Sequence, residues 1–257
     1  MSPAEKIIWV VNLSFLLLLI FRLASSRLHR RYIWFFVLLC FQAFQSAGMM
    51  PLNQAPNIYG WAYVVTQPVI WVLYIMAVLE LYSLALQQHR GIASLTRWVL
   101  SGAILLAVAI SALTIPVDLS GPAGESPVLV YYDVIERGLL FSLVIFLILI
   151  TGFLLWTPLA IRRNIVVHAS LCSCYFLASA ALLFVRNIKG YETVVEGVSI
   201  ALLVVNNFCL ALWVLLLNKR GEETLLMVRR NWQPEDETRL AHQMDAVNAF
   251  LLRSSKK

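Results

Sequence analysis

Within the long apolar stretches of this sequence, the side chains able to do chemistry are mostly uncharged amides: Asn12, Gln42, Gln45, Gln67, Asn206 and Asn207. An amide removed from water must find a hydrogen-bond partner, because leaving it unmet costs roughly 2–7 kcal/mol. Two arrangements satisfy that demand. The amides can bond across helices as packing glue, at about 0.6 kcal/mol each, or they can line a wet or ligand-filled cavity. The second arrangement makes these six residues the ligand-cavity candidates. Thr66 stands beside Gln67, and Pro68 follows it directly. A proline there frees a carbonyl one turn earlier and opens room between helices.

Glu80 is read as the one clear acid inside an apolar stretch. An ionised carboxylate in that setting needs a partner or takes up a proton. Arg22, Arg31, Arg97 and Arg163 are the candidate partners. An acid–arginine contact would make Glu80 an inner switch; a static interhelical pair is the simpler expectation, and proton coupling is a third. Asp133, Glu136, Arg137, Arg186, Glu192 and Glu196 cluster near the opposite edge. They are expected as solvated charges, or else as the rim of an outer vestibule, with Asp133 and Arg137 placed to pair at i,i+4.

Catalysis usually needs several convergent ionisable groups, and the apolar blocks offer essentially one. H-E-x-x-H, G-x-S-x-G and P-loop motifs are all missing. Catalytic residues, metal ligands and a cofactor are therefore not expected, and the chain is not read as an enzyme. Cys40, Cys172, Cys174 and Cys209 all fall in apolar blocks and are expected as buried, inert thiols. A C-x-C pair without histidine neighbours is a weak metal signal. His168 is expected as a packed or interfacial side chain.

The elements that must hold these groups follow from composition. The 257 residues are 60% hydrophobic and 13% charged, with a mean hydropathy of +0.78. That charged fraction is about half of what a soluble domain carries. Apolar blocks run over Ile7–Ala24, Tyr32–Met50, Ile58–Leu86, Trp98–Ile115, Tyr131–Ala160, Ile165–Val185 and Thr193–Leu217. Crossing the hydrocarbon core takes about 20 residues per helix, and separate spanning segments must be helical to satisfy their backbone. The expectation is an all-α polytopic membrane protein, a seven-transmembrane helix bundle in the cell (inner or plasma) membrane.

Charge sets the orientation. Arg27, Arg30 and Arg31, then Arg90 and Arg97, then Arg162 and Arg163, then Lys219 and Arg220 all fall on one side if seven helices alternate. Basic loops stay in the cytoplasm, so the N-terminus is expected outside and the C-terminus inside. The first apolar run has its arginines after it, opposite to a cleavable signal peptide. Aromatic residues at block ends, among them Trp9, Trp34, Trp61 and Trp98, suit the membrane interface. Residues 1–218 are expected as the seven-helix transmembrane domain and 219–257 as a cytoplasmic helical tail. In that tail Glu222–Asn231 is expected to continue the last helix, and Leu240, Met244, Val247 and Leu251 stripe another.

Seven helices with this orientation resemble rhodopsins and seven-helix receptors in layout. Retinal attachment would need a lysine in the seventh helix, and the stretch from Gly190 to Asn218 has none. Leu79–Glu80–Leu81–Tyr82 resembles the receptors' acid–arginine–tyrosine triplet only loosely, without the arginine. The chain is similar in style to bacterial seven-helix integral membrane proteins, a resemblance that implies a receptor-like layout and no site residue. The leading expectation is a sensor that binds a small molecule or lipid in its outer half and relays to the tail. The alternatives are a small transporter with a three-plus-one-plus-three layout and a non-catalytic assembly subunit. The partners implied are the lipid bilayer, a small-molecule or lipid ligand, and a second copy or another protein on the tail. Nucleic acid is not among them, since no aromatic-interleaved basic stripe occurs.

Overall fold

The computed structural model of the chain describes residues 3–52, 56–85, 127–156, 161–188, 191–226 and 246. These residues form helices α1 (Pro3–Ser25), α2 (Ile33–Leu52), α3 (Pro56–Ala85), α4 (Pro127–Trp156), α5 (Arg163–Ile188), α6 (Tyr191–Leu216) and the short α7 (Lys219–Glu223). Two-residue segments Ile161–Arg162 and Leu225–Leu226 pair antiparallel. Pro56 and Pro127 occupy the first turns of α3 and α4, where a missing N–H leaves nothing unpaired. Pro68 lies inside α3, which continues through it.

Four helical stretches are long and apolar enough to cross a membrane: Lys6–Ser25, Ile33–Leu52, Ile58–Ala85 and Arg163–Leu183. Ile200–Leu216 is a shorter apolar stretch. The described residues are thus almost all helical, with four helices long and apolar enough to span a membrane, which suits a membrane protein. The fourth apolar block, Trp98–Ile115, lies outside the described residues, as does the striped segment at 240–251.

The helices form a packed assembly in which α1 lies against α2 and α6, α2 against α3, α4 against α5 and α3, and α5 against α6. Its interior is apolar, with Leu16, Leu19, Leu23, Phe35, Leu39, Phe146 and Leu210 almost fully buried. Its exterior is apolar as well: Phe21, Phe44, Trp61, Phe208 and Leu215 are each more than half exposed. An apolar surface facing outward all round suits lipid as the solvent.

Cross-helix bonds order the ends. Trp9 meets Ser46, and Gln45 meets Thr66, at one end. Trp34 meets Glu80, and Arg22 meets Leu217, at the other. α3 therefore begins at the first end and finishes at the second. α4 begins at the first end, because Glu136 shares a cavity with Gln67. The chain thus enters α4 at the end opposite to the one where it leaves α3.

Arg27 makes the α1–α2 turn possible by adopting φ 59°, a left-handed conformation that L side chains rarely take. The amides of Arg31 and Tyr32 then close onto Leu28 O. That turn aims Arg31 and Tyr32 under the bundle, where the inner polar cluster forms.

Candidate functional site

The end of the bundle where α3 and α4 begin, expected from sequence to be the outer one, holds a cavity of about 300 Å³. Asn12 of α1, Gln42 and Gln45 of α2, Gln67 of α3 and Asn206 of α6 all line it. Five of the six amides singled out from sequence therefore converge on one void. Asn207, the sixth, does not line it. Its side chain instead accepts from Asn12 Nδ2 at 2.8 Å and donates to Ile8 O at 3.3 Å, tying α6 to α1. Thr66 receives Gln45 Nε2 at 2.8 Å and donates to Ala62 O at 2.7 Å. Gln42 donates to Tyr74 Oη at 3.0 Å, and Tyr74 meets Tyr175 Oη at 3.0 Å.

Glu136 also lines this cavity, as Gln67 does. The expectation of solvated charges at the start of this helix needs correction. α4 begins at Pro127, so Glu136 lies nine residues in, about 14 Å along the axis. A second acid, besides Glu80, therefore stands within the helix assembly, at the opposite end. Arg137, its neighbour in sequence, is 2% exposed. The side chains of Asp133, Arg186, Glu192 and Glu196 lie outside what the structure describes.

Glu80 does not pair with an arginine among the described residues. Its carboxylate accepts from the backbone amides of Trp34 at 3.1 Å and Phe35 at 3.2 Å. The first N–H groups of any helix lack intrahelical acceptors, and a carboxylate supplied by a neighbouring helix meets that need at the start of α2. The arginines proposed as partners are placed otherwise. Arg22 donates to Leu217 O at 3.1 Å, Arg31 pairs with Glu222, and Arg97 lies outside the described residues. Replacing Glu80 by alanine should cost about 1 kcal/mol, the usual value of a lost helix cap. Glutamine keeps the accepting oxygen and should cost under about 0.5 kcal/mol. Reversible unfolding in mixed micelles distinguishes the cases, since an ion pair would be lost equally in both variants.

The acid that does gather arginines is Glu222, in α7. It lies 3.0 Å from Arg31 Nε and 3.4 Å from Arg162 Nη1. It also accepts from Tyr32 Oη and from Asn164 Nδ2, the latter at 3.0 Å. Residues near the starts of α2 and α5 thus meet the start of the tail. Continuation of the last helix into Glu222–Asn231 is not what forms. α6 stops at Leu216, and Asn218 takes an extended conformation and caps α7 by accepting from Gly221 N at 2.7 Å.

Between cavity and inner cluster lies a packed layer. Asn12 and Arg22 are ten residues apart on α1, about 15 Å. Leu16, Leu19, Phe35, Leu39, Phe146 and Trp213 fill that depth. His168 is 1% exposed within it, its ring centroid 4.1 Å from Phe35 and 5.7 Å from Trp213. The cysteines are only partly as expected: Cys172 and Cys209 are buried, Cys40 is half-buried and Cys174 is exposed on the outer face of α5. No three histidine, cysteine or acidic side chains among the described residues gather closely enough to hold a metal ion.

Sequence named Glu136 only within a cluster expected as solvated charges or a vestibule rim, and it did not mark Glu222 at all. Glu136 sat beside other charges and read as a loop edge; Pro127, a helix-starting residue well upstream, was the available signal. Glu222 sat in a polar run with no local mark of what it would touch.

Comparison of the chain with protein-family models, with curated proteins and with solved structures found no match.

Proposed function

We propose that this chain is a membrane-embedded sensor of receptor-like layout, seven helices with the N-terminus outside and the C-terminus in the cytoplasm. It binds a small molecule or lipid group in the outer cavity and relays occupancy to the tail. The observation that carries this is the convergence of Asn12, Gln42, Gln45, Gln67 and Asn206 from four helices on one cavity of about 300 Å³. Bilayer-buried amides used only as glue would be dispersed over separate contacts. That volume matches the lower range of small-molecule sites.

The alternation of helix ends supports the seven-span count. Entry into α4 opposite the exit from α3 is what an odd number of further crossings would give. The meeting of Arg31, Arg162 and Glu222 at one end supports a shared cytoplasmic side for the basic loops. The layer of buried apolar side chains between cavity and inner cluster favours a sensor over a carrier. α5 and α6 connect the two ends. Each carries cavity residues in its outer half and inner-cluster contacts at the other end. A ligand that favours one arrangement of these helices would shift the tail's population of states.

The test fills the cavity deliberately. In a cysteine-free background, Ser179→Cys is placed on the cavity wall and joined to small methanethiosulfonate groups. Hydrogen exchange across residues 219–226 should change at least threefold with occupancy. Exchange that stays the same with the cavity filled and empty would remove the relay.

A further inference from the structure

From the acid and the amides that line the outer cavity we infer its ligand class: a small ammonium compound carrying a second hydrogen-bonding group. This rests on the cavity being a ligand site, as proposed above.

The bonding network determines which way the amides face. Thr66 Oγ1 gives its proton to Ala62 O, so it can only accept from Gln45, and the Gln45 atom at 2.8 Å is its nitrogen. Ile8 O can only accept, so Asn207 turns its nitrogen there and its oxygen to Asn12. The Asn12 atom at 2.8 Å is therefore its nitrogen. Gln42 directs its nitrogen to Tyr74. Each of these amide bonds uses one of the nitrogen's two protons, so the carbonyl oxygen and one N–H of Asn12, Gln42 and Gln45 remain for an occupant.

Glu136 adds a carboxyl group, the one acid among the described residues that line the cavity, and no lysine or arginine is among them. Arg137 follows in sequence but does not line the cavity, being about 100° further round α4. A carboxylate at membrane depth takes a cation or a proton. A bare metal ion would need oxygens closing to about 2.3–2.6 Å, far tighter than a void of about 300 Å³. An ammonium group on a short carbon frame fits instead. It meets Glu136, and a second polar group, such as a hydroxyl, meets the amides of Asn12, Gln42 and Gln45. Tyr63, Tyr74 and Tyr175 also line the cavity, and aromatic rings attract cations.

Four-carbon probes on one frame test this: 4-amino-1-butanol, 1,4-butanediol and succinate, titrated against the full chain in nanodiscs by thermal shift. The amino alcohol is expected to bind at least tenfold tighter than the diol, with succinate weakest. In Glu136→Gln that preference should fall below threefold. Equal binding of amino alcohol and diol, tighter binding of succinate, or binding of none overturns the ammonium assignment. So does a preference that survives in Glu136→Gln. The comparison within the unaltered protein stands even if that variant fails to fold. Tail exchange that still responds to cavity filling in the Ser179→Cys protein, with no amine preference, would sink the ligand class and leave the sensor standing. An amine preference without a tail response would do the reverse.

Discussion

Replacing Glu222 by alanine is expected to destabilise the inner end of the bundle by about 2–4 kcal/mol. The two guanidinium pairs alone would not do this. Arg31 and Arg162 are 25% and 39% exposed, and pairs that open to water are worth about 0–1 kcal/mol. The larger part comes from what the carboxylate leaves behind. Asn164 is fully buried, and Tyr32 is 1% exposed. Both direct donors at Glu222. A buried donor stripped of its acceptor costs about 1–3 kcal/mol. Glu222→Gln keeps an accepting oxygen and should lose roughly half as much. Unfolding in mixed micelles gives the free energy, and hydrogen exchange should show protection lost first across residues 219–226. A change below about 0.5 kcal/mol would mean that α7 is not anchored here.

Gly221→Ala should destabilise by about 1–3 kcal/mol although it places alanine within a helix. Glycine-to-alanine changes inside helices ordinarily stabilise, by roughly 0.5–1 kcal/mol. Here a Cβ would collide with the side-chain oxygen of Asn164. Asn164 cannot turn aside, because its nitrogen holds Asn218 O at 2.8 Å and Glu222 at 3.0 Å. α7 would have to lift, breaking the Asn218 cap and the Glu222 contacts together. Gly152→Ala is the control: nothing lies within 4 Å of its added carbon, so that change should be neutral or stabilising. If both alanines raise the unfolding midpoint, the close seat of α7 on α5 is not a constraint on the fold.

These two effects concern residues with little mark in the sequence, and the contrast with the cavity is instructive. Asn12, Gln42, Gln45, Gln67 and Asn206 were legible because an amide in an apolar run is expensive wherever it lies, so its presence alone announces a partner or a void. Glu80 was legible as a special residue but not in its role. Its depth near the inner end of α3 suggested an arginine, whereas the nearest unmet donors were the opening amides of α2. Backbone donors at a helix start have no residue type to reveal them. Arg137 was misjudged because charge next to a loop usually means exposure, and only the upstream start of α4 moved it into the protein.

Composition by itself determined that this chain is built of apolar helices suited to lipid, since transfer into hydrocarbon sums over about 20 consecutive residues and needs no knowledge of neighbours. It also determined which side chains would be costly there. Only the tertiary structure decided which of those side chains meet. Each residue turns about 100° round its helix and rises about 1.5 Å, so a small rotation or slide between neighbours exchanges one set of partners for another. Asn207 facing α1 while Asn206 faces the cavity, and Glu222 rather than Glu80 gathering the arginines, were settled at that level.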